Sequence, residues 1–377
     1  MPGANLTRIE AEERKSVIAA PVHYTVKLDL TRGAKNFGSE TTITFDAEPG
    51  ATSFLDLIAT EVSEIVLNGA TLDPAEAFAD SRIELKNLEA HNEVTVKALC
   101  QYSNTGEGLH RSVDPSDGNI YLYSQFEVPD ARRVYAVFDQ PDIKAVFDFS
   151  VLAAKSWIVT SNMPAASVTD SETVTEEGTL GTHEAETTKL WVFESTPTMS
   201  SYLTAICAGP YAEWHTEYAN EDGRTVPMAM YCRQALAEAF AKDVDYLFDI
   251  TKKGFRLLCE DLGRAVSVRQ VRPDLRAGIQ RRRYGEHRHG HHPRPVRVRI
   301  EGHRRVCRAP RGHRAARACT HVVRRLRDHE VGGTTCGSTN PSPSSRPLSP
   351  LPKPRNGRTL GPHSAPARRA GHCARTS

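Results

Sequence analysis

Apolar residues recur at folding periods in this chain as far as Gly263, and the pattern is lost beyond it. A segment can bury one face only if its apolar residues repeat with the period of a helix or a strand, so a packed fold is expected for residues 1–263. From Arg264 to Ser377 the text turns to arginine, histidine and proline. That segment holds 26 arginines, a single lysine (Lys353) and five acidic residues, a net charge of +22. The residues before it carry 21 basic and 41 acidic side chains, so the formal charge of +2 over 377 residues averages two opposed parts. Residues 264–377 are so poor in Leu, Ile, Val and Phe that they are expected to stay disordered.

Before Gly263 the chain reads as mainly β. Leu6 to Ile18 has the spacing of a short helix. Period-2 segments follow at Tyr24–Leu30, Glu40–Phe45, Phe54–Leu57, Val62–Leu67, Ile83–Leu85 and Glu93–Ala98, punctuated by Gly, Pro and Asp. More are expected at Ile120–Tyr123, Ala145–Ala153, Trp157–Thr160, Lys189–Glu194, Ser201–Ala208, Tyr211–Glu217 and Thr225–Tyr231. This alternation predicts an antiparallel β-domain with one wet face. One long helix is predicted over Leu236–Gly263, where Leu236, Phe240, Val244, Leu247, Phe248, Thr251, Phe255, Leu258 and Leu262 form a core-facing stripe.

Several function classes recede on composition. None of the eight cysteines forms a C-x-x-C pair, so neither a disulfide framework nor a zinc ribbon is indicated. The first twenty residues lack the apolar core of a signal peptide, and no run approaches the roughly 20 apolar residues of a membrane span. A cytoplasmic protein with no membrane partner is expected. Glu286–His292 (EHRHGHH) could take up a metal adventitiously. The stretches RVRIEGHRR and RRLRDH would bind nucleic acid only through charge, without specificity and with salt-sensitive affinity.

The densest segment chemically is Tyr121–Pro141, YLYSQFEVPDARRVYAVFDQP. Gln125 and Glu127 lie two apart on an expected extended segment, so they would share a face. A carboxylate and an amide on one face can hold a primary ammonium group. The same spacing also suits a solvated strand end, and spacing alone does not choose between them.

The segment resembles the S-Q-x-E … A-R … F-D-x-P signature of the aminopeptidase N family of zinc metallopeptidases. KAVFDFSV, the SNMP at Ser161–Pro164 and STPTMSSYLTAICAGPY are similar to that family's N-terminal β-domain as well. The resemblance covers roughly residues 6–263. It implies an N-terminal antiparallel β-sandwich or saddle domain (1–208), then the start of a thermolysin-like α+β catalytic domain (209–263). It implies a peptide N-terminus as substrate, with Gln125 and Glu127 lining the pocket for its first residue. Arg132, Arg133 and Asp139 would hold the turn together. The implied cofactor is zinc, held in the family by H-E-x-x-H and a downstream glutamate, with a GAMEN segment gripping the peptide. None of these motifs occurs in this sequence, so no zinc is expected to be bound.

The lost motifs can be read between the codons. Read one base later, Arg264–Val268 permits V-P-Y-P-F, the family's text after D-L-G. The same shift across Ala277–Glu286 permits P-E-F-N-A-G-A-M-E-N, and across Arg314–Val323 it permits V-L-H-E-L-A-H-M-W-F. Arg282–Glu286 then overlies GAMEN, and Ala316–Thr320 overlies H-E-L-A-H. A second shift past Val331 lets Gly333–Ser342 give D-D-L-W-L-N-E-S-F-A. Residues 264–377 are thus expected to be an off-frame reading of a catalytic domain, and the chain an inactive, truncated relative. The alternative is a non-catalytic β-domain module whose basic tail binds nucleic acid non-specifically.

Overall fold

The computed structural model describes residues 5–181, 183–220, 223–262, 273–275 and 298–300. In chain order it opens with α1 (Arg8–Val17), β1 (Ile18–Asp29), β2 (Asn36–Ala47), β3 (Ser53–Asp56), β4 (Glu61–Leu67) and β5 (Ala70–Leu72). Next come α2 (Pro74–Ala77), β6 (Phe78–Ala79), β7 (Arg82–Leu85), β8 (His91–Gln101), β9 (Gly108–Val113) and β10 (Ile120–Gln125). After these are β11 (Ala145–Ala154), β12 (Ile158–Ser161), β13 (Ala165–Val174), β14 (Thr187–Phe193) and β15 (Ile206–Gly209). The last are β16 (Tyr211–Ala219), β17 (Thr225–Arg233), α3 (Ala237–Ala241), α4 (Val244–Leu262), β18 (Pro273–Leu275) and β19 (Val298–Ile300).

Three sheets build the β-domain. The largest has eight strands in the order β13-β14-β11-β1-β2-β8-β4-β5, and β12-β15-β10-β9 and β3-β7-β6 complete it. Among the described residues, every strand pairing within these three sheets is antiparallel except β1 with β11. Burial alternates along β1, β2 and β8, as a sheet with one packed face requires. Tyr24 on β1 and Phe147 on β11 are cross-strand partners whose rings stack at 4.9 Å. Tyr135 meets both, and Phe149, edge-on. The α1 helix starts at a capping box, with Thr7 and Glu10 exchanging hydrogen bonds, and Glu10 also pairs with Arg82 at 2.6 Å.

A second apolar core lies beyond Gly209. Tyr218, Val226, Met228, Met230 and Cys232 of the β16–β17 hairpin pack against Phe240, Val244, Phe248 and Phe255 of the two helices. β17 also pairs in parallel with β18, and β18 pairs with β19.

The structure departs from the sequence reading in identifiable places. The expected helix over Leu236–Gly263 is three pieces: a 3-10 turn at Gln234–Leu236, then α3, then α4. The Asp243 amide bonds Phe240 three residues back rather than four, which tightens the turn between the two α-helices. Leu236, expected in the stripe, is 38 % exposed. The expected strand Ser201–Ala208 begins as a 3-10 turn at Ser201–Leu203, and only Ile206–Gly209 is strand. There the Ser201 carbonyl accepts from both the amide and the hydroxyl of Thr204. The strand β13 is exposed on both faces, so its sequence carries no alternation that would predict it. Positions 273–275 and 298–300 are strand, against the disorder expected there, while the other residues of 264–377 lie outside the described set. Among the described residues, no helix is long and apolar enough to cross a membrane.

Truncating the ring at the centre of the first core tests the packing. Phe147→Ala should cost about 3–5 kcal/mol in denaturant unfolding, whereas Val168→Ala on the exposed β13 should stay within about 0.5 kcal/mol.

Candidate functional site

The candidate site stands at the end of β10. That strand lies inside its sheet, between β15 and β9, and all six residues are buried. Gln125 is its last residue, 7 % exposed and paired with Gly108 of β9. Phe126 follows, buried edge-on to the Tyr135 ring at 6.1 Å. Glu127 is exposed and opens a turn that runs to Asp130 and includes the cis Val128–Pro129 bond. Sequence reading put Gln125 and Glu127 on one extended segment; here the strand stops at Gln125, so Glu127 is aimed by the turn rather than by strand alternation.

Arginines hold that turn. A 3-10 helix at Ala131–Arg133 follows it. Arg132, buried, donates from Nε to the Pro129 carbonyl at 3.0 Å and from Nη2 to Asn5 Oδ1 at 3.0 Å. Its amide donates to Asp139 Oδ2 at 3.2 Å. Arg133 donates to Asp130 Oδ1 at 2.7 Å and to Glu107 Oε2 at 3.1 Å.

Behind the turn is a buried polar network absent from the sequence reading. Arg14 of α1 meets Asp56 of β3 at 2.6 Å, with both side chains almost wholly excluded from solvent. Arg14 Nε also donates to Gln140 Oε1, and its guanidinium lies over the Phe54 ring at 4.8 Å. Asp56 Oδ2 accepts the Asp139 amide at 3.2 Å, and Asp139 Oδ1 accepts the Ser201 hydroxyl at 3.0 Å. Sequence offered no signal for Arg14: it sits in the run EAEERK, which reads as a solvated face.

Burial pushes the Asp139 carboxyl up to about 6, against hydrogen bonds from the Arg132 amide and Ser201 that favour its charged form. Asp56 nearby adds to the rise.

β10 also meets the β16–β17 hairpin, where Tyr121, Tyr211, Ala229 and Tyr231 form a small apolar cluster of their own. The Tyr121 hydroxyl accepts the Gln234 amide at 3.0 Å, and Tyr211 Oη donates to the Leu122 carbonyl. Arg233 closes the junction on Asp114, a buried carboxylate. Burial pushes Asp114 up, but Ser116 and Arg233 hold it below its ordinary value. Gly209, at φ +152°, passes so close to β10 that a Cβ there would lie 2.8 Å from the Ile120 carbonyl oxygen.

A zinc site needs several His, Cys, Asp or Glu side chains gathered in one place. Among the described residues, no group of three or more His, Cys, Asp or Glu side chains could hold a metal ion. The positions overlying H-E-L-A-H, Ala316–Thr320, lie outside the described set, as does Glu286–His292.

Residues 20–203 match the Peptidase M1 N-terminal domain. The N-terminal part of this chain therefore belongs to the aminopeptidase N family of M1 peptidases. It is 48 % identical over 260 residues to aminopeptidase N of Streptomyces lividans, a match covering 68 % of this chain and 28 % of that protein. It is 38 % identical over 202 residues to aminopeptidase N of Acetobacter pasteurianus, covering 48 % of this chain and 52 % of the relative. A crystal structure of Legionella pneumophila aminopeptidase A in complex with aspartic acid aligns with a TM-score of 0.56 at 17 % identity. That alignment covers 67 % of this chain and 28 % of the solved one, and it shows the shared fold. The chain thus spans little more than a quarter of the Streptomyces relative.

The Asp139 assignment predicts a pH signature. A carboxyl with a higher folded than unfolded value favours folding fully below about 3.9 and loses that contribution as pH rises through about 6. Asp139→Asn removes the titration. In thermal melts between pH 4 and 7, the stability of the variant relative to the unsubstituted chain should rise with pH, by up to roughly 3 kcal/mol. A pH-independent difference would refute the assignment.

Proposed function

We propose that this chain carries the peptide-amine-holding part of a zinc-dependent metalloaminopeptidase, an enzyme that removes N-terminal residues from peptides. The observation that carries the reading is the end of β10, where the buried Gln125 amide is followed two residues later by the exposed Glu127 carboxylate. The strand is packed on both faces and the turn is bonded from behind, so the backbone that carries the two groups does not have to be ordered when a ligand arrives. An amide oxygen and a carboxylate together accept from a primary ammonium, and the charge-assisted bond to Glu127 supplies most of the attraction.

We infer the domain limits as well. Residues 1–208 form the N-terminal β-domain and 209–263 open the catalytic domain, a division supported by the separate core beyond Gly209. Residues 264–377 are read as off-frame text of the remainder. The 260-residue span of the Streptomyces match, close in length to the segment ending at Gly263, supports that reading. The sequence contains no H-E-x-x-H, and the described residues offer no substitute metal ligands, so no catalytic step is assigned to this chain. A cytoplasmic location belongs to the same proposal.

Purified protein of this sequence should not cleave aminoacyl chromogenic substrates, with or without added zinc, and limited proteolysis should trim it to near Gly263. Chelator-sensitive cleavage, or a protected core running past residue 300, would overturn the reading.

A further inference from the structure

The clamp on the Glu127 turn has a feature that its stability does not explain. Gln125 is paired with Gly108, and directly paired residues of antiparallel strands project to one face. Gly108 adopts φ +60°, and a Cβ built on it would lie 2.8 Å from Arg133 Cβ and 3.0 Å from its Cδ. The aliphatic stem of Arg133 therefore fills the place beside Gln125 that a side chain at position 108 would take. Any other residue there would be strained by the backbone and would collide with that stem.

From this seat the guanidinium spans two carboxylates, Asp130 at the end of the turn and Glu107 just before β9. Asp130 precedes the 3-10 helix at Ala131–Arg133 but makes no side-chain capping bond to it; its carboxylate serves Arg133 instead. The Arg133, Glu107 and Asp130 side chains are 29 %, 51 % and 17 % exposed, and such partly wet pairs contribute little to global stability. Two other consequences follow. The turn that aims Glu127 is tied to β9, the strand that also fixes Gln125. The cation beside Gln125 is covered by two anions, so an approaching ammonium meets a formal charge of −1 from the trio rather than a bare arginine.

We propose that Arg133 is a positioning residue for the amine subsite, with Glu107 and Asp130 as its charge partners and Gly108 as the gap that admits it. The proposal rests on reading Gln125 and Glu127 as the amine-holding pair.

The test follows backbone and side-chain amide resonances of the full chain by NMR during titration with L-leucinamide, and with N-acetyl-L-leucinamide as the probe lacking the amine. The unsubstituted chain should show shifts at Gln125 and Glu127 with the first probe alone. Arg133→Ala should weaken that response about tenfold while leaving thermal unfolding within a few degrees. Arg133→Lys should recover part of it, because an ammonium replaces the charge without the planar fork. Glu107→Gln, which leaves the Asp130 contact in place, should weaken it about twofold or more. An Arg133→Ala chain that responds to leucinamide as the unsubstituted chain does would overturn the positioning role and leave the amine subsite standing. If the unsubstituted chain shows no amine-dependent shift, the Gln125–Glu127 reading fails, and the positioning role fails with it.

Discussion

A buried ion pair, Arg14 with Asp56, sits where three distant pieces of chain must meet: α1, β3 and the loop Phe138–Pro141. Two charges taken out of water gain from their attraction only if the geometry is good and the remaining polar atoms are bonded. Here Gln140 and the Asp139 amide bond the pair and the faces of Phe54 and Phe138 lie against the guanidinium, whose Nη2 is buried without a hydrogen-bond partner among the described residues. Losing either partner would strand the other charge, a defect that typically costs 3–5 kcal/mol. From the pair the bonding continues outward through Asp139 to the Arg132 amide, and from Arg132 to the Pro129 carbonyl. The exposed carboxylate of Glu127 is therefore placed by a chain of contacts that begins in the core.

That placement shows how the work is divided in this architecture. On the proposed reading the β-domain contributes recognition: a buried amide, Gln125, and a carboxylate, Glu127, carried on a turn whose backbone is held from behind. The β16–β17 hairpin leans on the same strand through Tyr121 and Tyr211, and on Asp114 through Arg233. In this chain the helices are present and the metal-binding text that should follow them is not.

Much of the fold was legible because β1, β2 and β8 bury one face and wet the other, so their apolar residues alternate. The edge strand β13 was illegible for the converse reason: exposed on both sides, its sequence carries no period. The break between α3 and α4 leaves no mark in the sequence, because Phe240, Val244 and Phe248 keep helical spacing across it. At the proposed site, residue type and resemblance point to Gln125 and Glu127, while Glu127 stands on a turn, which alternation does not describe. The Arg14–Asp56 pair was beyond reach: its members are 42 residues apart, and each stands in an unremarkable local context.

The claim that the chain leaves its catalytic text at Gly263 is tested most directly by the nucleotide sequence that encodes residues 255–345. The account predicts that reading one base later from the codon of Arg264 yields V-P-Y-P-F and then, at the positions of Arg282–Glu286 and Ala316–Thr320, GAMEN and H-E-L-A-H, with a second shift past Val331. Codons that encode none of these off-frame would contradict it, and residues 264–377 would then need an explanation of their own.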